Sequence, residues 1–128
     1  SFSSPVELAT ACKNAGIDLQ REVNKDIKNN PRLYPVRRDS AINHRWAPNL
    51  IVWFKRHAKS LDKKDPKTYK PGDVVFWSLM DDGTADHCGV IGDKVSPDGF
   101  PLVIHQFPPR CKEEDCLAQW RIMGHFRP

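Results

Sequence analysis

The sequence predicts an α+β fold, with helices first and an antiparallel strand meander after them. Apolar residues recur at helical spacing in the first half, at Leu19, Val23 and Ile27 and again at Leu50, Trp53 and Phe54. The second half carries short β-branched runs, Val74 to Trp77, Cys88 to Ile91 and Leu102 to Gln106. Asp82-Gly83, Ser96-Pro97-Asp98-Gly99 and Pro108-Pro109 separate them as turns. Helices followed by a run of strands place the chain in the α+β class.

Taken in order, Ser4-Pro5-Val6-Glu7 reads as a capping box, with proline at the first helical position. Leu8, Cys12 and Ala15 then share a face, and Gly16 closes that helix. Asp18 caps a second helix, which Asn29-Asn30-Pro31 terminates. Residues 32–47 are irregular. Pro48 opens a third helix whose buried stripe is Leu50, Trp53, Phe54 and Leu61. After the solvated loop Lys63-Lys64-Asp65-Pro66, a fourth strand is expected over Ala118 to Met123, in addition to the three runs above.

The 128 residues suit one domain, residues 1–128. A hydrophobic fraction of 39% and a charged fraction of 28% are those of an ordinary soluble protein. No apolar run approaches the ~20 residues of a membrane span. Lys55-Arg56 cuts off the greasiest stretch, Ile51 to Phe54. The net charge of +4 is scattered among acids, and no basic recognition helix or zinc-finger spacing appears, so nucleic acid is not an expected partner. The chain opens at Ser1 without an initiator methionine, as a processed product or a trimmed piece would.

Cys111 and Cys116 flank Lys-Glu-Glu-Asp in what reads as a polar loop after Pro108-Pro109. That spacing favours a disulfide and an oxidising compartment over two unpaired surface thiols. No second ligand pair accompanies them, so neither zinc nor any other metal is expected. Cys12 and Cys88 lie in apolar surroundings. On a strand, His87, Gly89 and Ile91 share one face while Cys88 and Val90 take the other. His105 shares a face with Val103. Antiparallel neighbours could therefore set His87 beside His105, one imidazole as general base and the other orienting it. Two idle histidines at strand ends are the alternative.

Pro71-Gly72-Asp73-Val74-Val75-Phe76-Trp77, then His87-Cys88-Gly89-Val90-Ile91-Gly92, then Val103-Ile104-His105, resembles the NlpC-type cell-wall peptidases. These are papain-like cysteine hydrolases that cut peptidoglycan stem peptides. The chain is more closely similar to a group of exported bacterial proteins in the same broad superfamily, formerly of unknown function. That group's features recur as Ala15-Gly16-Ile17-Asp18-Leu19-Gln20, Ile42-Asn43-His44-Arg45, Pro48-Asn49-Leu50, Gly99 to His105, Glu114-Asp115 and Gly124-His125-Phe126-Arg127.

The resemblance implies a papain-like fold, its N-terminal helices packed on the sheet and its cleft at the start of the first helix. His87 is then the base and His105 the orienter. The nucleophile position falls on Ser4, where the family has cysteine. Cysteine suits a helix start because the helix N-terminus and a nearby imidazolium both favour the thiolate. Serine has no such resting ion pair and needs base assistance and an oxyanion hole. Either a cysteine has been replaced to silence the enzyme, or a natural relative has altered the chemistry. The intact remainder of the site favours a Cys-to-Ser inactive form. Cys12, on a buried helix face, and Cys88, on the opposite sheet face, suit the nucleophile role poorly.

His44 and Arg45 are candidates to hold a substrate carboxylate, weighed equally against a structural role. Trp77 is the candidate aromatic contact for substrate, and Asp73 reads as a turn cap. The expected activity is hydrolysis of an amide or peptide bond in peptidoglycan by a monomer in the periplasm or outside the cell, with no cofactor. The expected setting is an antibacterial effector, which would have an immunity partner, or a housekeeping wall remodeller. The alternative from another class is a non-catalytic wall-binding module of the same fold.

Overall fold

The computed structural model describes residues 18–35, 47–107 and 110–128. Within them, helices α1 (Leu19–Asn29) and α2 (Ala47–His57) precede six strands: β1 (Lys59–Ser60), β2 (Val74–Ser78), β3 (His87–Val95), β4 (Pro101–Phe107), β5 (Arg110–Glu114) and β6 (Arg121–Arg127). The strands form one sheet in the order β1-β6-β2-β3-β4-β5, every pair antiparallel. The α+β class and the antiparallel sheet are therefore as the sequence predicts; the expected meander holds for β2 to β5, whereas β6 crosses back to lie between β1 and β2.

Asp18 caps α1 by accepting from the Arg21 backbone N–H at 3.2 Å, an interaction worth about 1 kcal/mol. Leu19, Val23 and Ile27 are buried on one face of α1, and the Asn30 N–H closes its last turn on the Asp26 carbonyl. From α2, Leu50, Trp53 and Phe54 join this layer. Against it the sheet presents Val74, Phe76, Cys88, Val90 and Phe126. Phe54, Phe76 and Phe126 meet with ring centroids 5.6–5.8 Å apart, in tilted and edge-on contacts.

Asp26 locks the two helices together. Its carboxylate accepts from Arg56 at 2.6 and 3.0 Å, from the Tyr34 hydroxyl at 2.6 Å and from Asn30 at 3.0 Å. The Arg56 hydrogen bond outweighs burial and holds the Asp26 carboxyl well below the usual carboxylate range.

The opposite face of the sheet buries Tyr69, Val75, Trp77, Ile91 and Val103 beneath Cys116 and Leu117. Trp120 and Ile122 pack at its margin. Both described helices thus cover one face, and among the described residues the segment between β5 and β6 packs on the other. Strand parity explains the split, since alternate residues of β2 and β3 point to opposite layers.

Three sequence expectations are corrected. The polar stretch after Pro109 is strand β5 rather than a loop, paired with β4 through His105↔Lys112 and Val103↔Glu114. An edge strand tolerates charged residues because one of its sides faces water. The last strand is Arg121–Arg127 and not Ala118 to Met123, with 117–119 in a turn. Leu61 lies beyond the end of α2, where its N–H donates to the His125 carbonyl at 2.8 Å.

Candidate functional site

The Pro71-Gly72 turn feeds β2, and Gly72 has a φ of +89° that favours glycine there. Asp73 caps this turn, its carboxylate accepting from the Lys70 N–H at 2.9 Å. The carboxylate also accepts from His125 Nε2 at 2.6 Å and from Arg127 Nε and Nη2, each at 2.8 Å. His125 stacks on Tyr69 with ring centroids 3.7 Å apart. Its Nδ1 lies 2.7 Å from the Asp62 carbonyl. A carboxylate only accepts, so Nε2 is the nitrogen of this ring that donates to Asp73. Burial opposes the charge on Asp73, but His125 and Arg127 hold its carboxyl down at about 2. The triad fixes the entry to β2 and hence the position of Trp77.

Trp77 pairs with His87 in the β2–β3 register. The indole N–H donates to the Leu117 carbonyl at 3.0 Å, and the ring stacks on His87 at 5.3 Å and 25°. Trp77 is 0% exposed, which corrects its expected role as a substrate contact. It is the wall against which His87 is fixed. Trp120, half-buried, lies edge-on to both His87 and His105 at 5.8 and 6.0 Å.

His87 and His105 come together as the strand parity predicts. His87 Nε2 lies 2.9 Å from His105 Nδ1, and the rings are 1% and 0% exposed. Gly89, opposite Val75 in the β2–β3 register, sits where there is no room for a side chain. A Cβ there would meet Val103 Cγ1 at 2.7 Å, the Ile104 carbonyl at 3.1 Å and the Trp77 ring at 3.2 Å. Burial, with the charge of His105 second, pulls the His87 imidazole down to about 4.

Two residues that the sequence reading did not place in the site complete it. Glu114 Oε1 lies 2.8 Å from His105 Nε2. The Cys116 thiol lies 3.5 Å from the same nitrogen. The only sequence signal for Glu114 was its place in a recurring Glu114-Asp115 pair. Cys116 is a free, buried thiol, so the expected Cys111–Cys116 disulfide is corrected. The chain after β5 turns under the sheet and carries Cys116 into the core, away from the strand on which Cys111 pairs with Gln106. Burial, then the charges of Glu114 and Asp115, push that thiol up to about 12, which makes it a poor nucleophile. Cys88 lies in the helix-side layer, on the face away from the histidines, as parity predicts.

His105, Lys112, Glu114, Gln119 and Trp120 line a cleft of about 190 Å³. His105 is thus the member of the dyad that borders the cleft, while both rings stay buried. Ser4, Cys12, His44 and Arg45 lie outside the described residues. Among the described residues, no group of three or more His, Cys, Asp or Glu side chains is placed to hold a metal ion. None of the described helices is long and apolar enough to cross a membrane.

The chain is similar to the Escherichia coli (strain K12) protein named "Uncharacterized protein YijF", with 44% identity over 123 residues. The match covers 91% of this chain and 59% of the relative, so the chain spans about three-fifths of that protein's length. No solved structure matches it. Residues 7–128 match the family described as "Domain of unknown function (DUF1287)". With nearly its whole length accounted for in this way, the chain belongs to the DUF1287 family.

Proposed function

We propose that this domain is a papain-like, NlpC-type peptidoglycan hydrolase that cuts an amide or peptide bond of the stem peptide outside the cytoplasm. The observation that carries the reading is the buried His87–His105 hydrogen bond beside an open cleft. Structural histidines usually bond to backbone or solvent. Here one imidazole fixes the tautomer and ring angle of another, which is the task of an orienting group in a catalytic triad. His87 is the base, His105 its orienter, and residue 4 the nucleophile position. Trp77 and Trp120 exclude water from the pair. Serine at position 4 makes this form inactive or nearly so, because its hydroxyl is not ionised at neutral pH.

The serine also motivates a second reading, a wall-binding module that keeps the cleft and has lost turnover. An antibacterial effector with an immunity partner and a housekeeping remodeller remain the two settings for the hydrolase. Toxicity confined to periplasmic export favours the first.

Mass spectrometry of purified muropeptides treated with the Ser4→Cys protein tests the hydrolase. New stem-peptide fragments, abolished by a thiol-alkylating reagent and by His87→Ala, are expected. A folded Ser4→Cys protein that binds wall fragments but cuts none would leave the binding module.

A further inference from the structure

The bond between Glu114 and His105 determines more than the position of a ring. As a carboxylate, Glu114 only accepts, so the hydrogen on His105 sits on Nε2. In neutral His105 the other nitrogen, Nδ1, then carries a lone pair. His87 Nε2, 2.9 Å away, must donate to it. The basic lone pair of His87 is thereby assigned to Nδ1. One carboxylate at the cleft sets the tautomers of two buried rings in sequence.

We infer that Glu114, His105 and His87 form a proton relay, in which a proton taken up at His87 Nδ1 is passed on and its charge comes to rest on His105 beside Glu114. The inference rests on the base role given to His87 above. In the relay, the His87 Nδ1 lone pair forms a new N–H bond with the incoming proton, supplied by the nucleophile. The His87 Nε2–H bond breaks and its electron pair stays on Nε2. That proton joins the lone pair of His105 Nδ1. His87 ends neutral with hydrogen on Nδ1, and His105 ends as an imidazolium donating from Nε2 to Glu114 and from Nδ1 to His87. Reversal returns the proton to a leaving amine at His87 Nδ1.

Burial makes this division reasonable. His87 is stacked on Trp77 and resists a charge of its own, whereas His105 has an anion in direct contact. Glu114 is a positioning residue in this scheme. Its side chain is 44% exposed at the cleft, so it connects the buried pair to solvent. Among the described residues, the other titratable groups facing the pair are Asp86, Lys112 and Cys116. Asp86 is already engaged by the Leu79 and Met80 N–H groups, at 2.8 and 3.3 Å. Cys116 is a weak partner at 3.5 Å, and Lys112 opposes positive charge on His105.

Long-range ¹H–¹⁵N correlation spectra of the imidazoles, recorded on the Ser4 protein across a pH titration, test the relay without any need for turnover. At neutral pH both His87 and His105 should show hydrogen on Nε2. On acidification His105 should gain the first proton while His87 changes to the Nδ1–H tautomer. Glu114→Gln keeps an acceptor but removes the charge. It should retain the neutral tautomers and lower the pair's first midpoint by about one pH unit or more, a tenfold loss of proton affinity. Glu114→Leu removes the acceptor and should release the tautomers as well.

An unchanged midpoint in Glu114→Gln overturns the relay. So does a neutral His105 carrying hydrogen on Nδ1, which the unsubstituted protein alone would reveal even if a variant failed to fold. A Ser4→Cys protein that cuts no wall fragment would refute the hydrolase and leave these spectra unaffected, so the two failures are distinguishable.

Discussion

Replacing Asp73 with asparagine tests whether the buried triad beneath the Pro71-Gly72 turn anchors the sheet. The side chain of Asp73 is 1% exposed and accepts from Lys70, His125 and Arg127. The asparagine would keep one acceptor oxygen and turn an amide N–H₂ toward groups that only donate. Two magnitudes bracket the cost. The carboxyl is held at about 2 against an ordinary 3.8, a difference of about 2 kcal/mol between its charged and neutral forms. Removing one partner of a buried ion pair costs roughly 3–5 kcal/mol, because it leaves the other charges uncompensated. Asp73→Asn should therefore lose about 2–5 kcal/mol at neutral pH.

The pH dependence follows from the direction of the shift. A carboxyl lowered by folding contributes fully above its unfolded value, near 4, and its contribution fades as pH falls toward 2. Urea unfolding followed by tryptophan fluorescence, for both proteins from pH 7 to pH 2, gives the readout. The gap in stability between them should be constant down to about pH 5 and then close. A gap below about 1 kcal/mol at pH 7, or one that persists unchanged at the acid end, would refute the reasoning.

Two further outcomes follow from the site. Gly89→Ala should destabilise the fold by about 1–3 kcal/mol, because the added methyl meets Val103, the Ile104 carbonyl and Trp77. Displacement of Trp77 should show in the near-ultraviolet circular dichroism, and unchanged stability and spectrum would count against the packing described. Cys116 should resist iodoacetamide in the native state at neutral pH and react once the chain is unfolded, since its thiol is buried and pushed up to about 12. A non-reduced peptide map that joins Cys111 to Cys116 would show the free-thiol geometry to be wrong.

The sequence by itself determined what depends on local rules. The Asp18 cap, the face of Leu19, Val23 and Ile27, and the stop at Asn30-Pro31 are written in neighbouring residues, and the structure follows them. So is strand parity. Period-two alternation was enough to put His87 on the face away from Cys88, and to put His105 with Val103. Adjacent antiparallel strands then brought the two rings to 2.9 Å.

Only the tertiary structure decided the partners. Glu114 meets His105 from nine residues away and His125 meets Asp73 from 52 away, because pairing register fixes which polar groups share a site. Charge hid β5 and obscured the limits of β6. A strand that meets its neighbours through lysine, glutamate, histidine or arginine lacks the apolar alternation by which a strand is recognised. Its charges become strand-compatible only when the fold supplies their counter-ions or an edge. Trp77 and Cys116 show the same dependence. A tryptophan and a thiol carry no local mark of whether they face a cleft or a core, and the turn between β5 and β6 buries both.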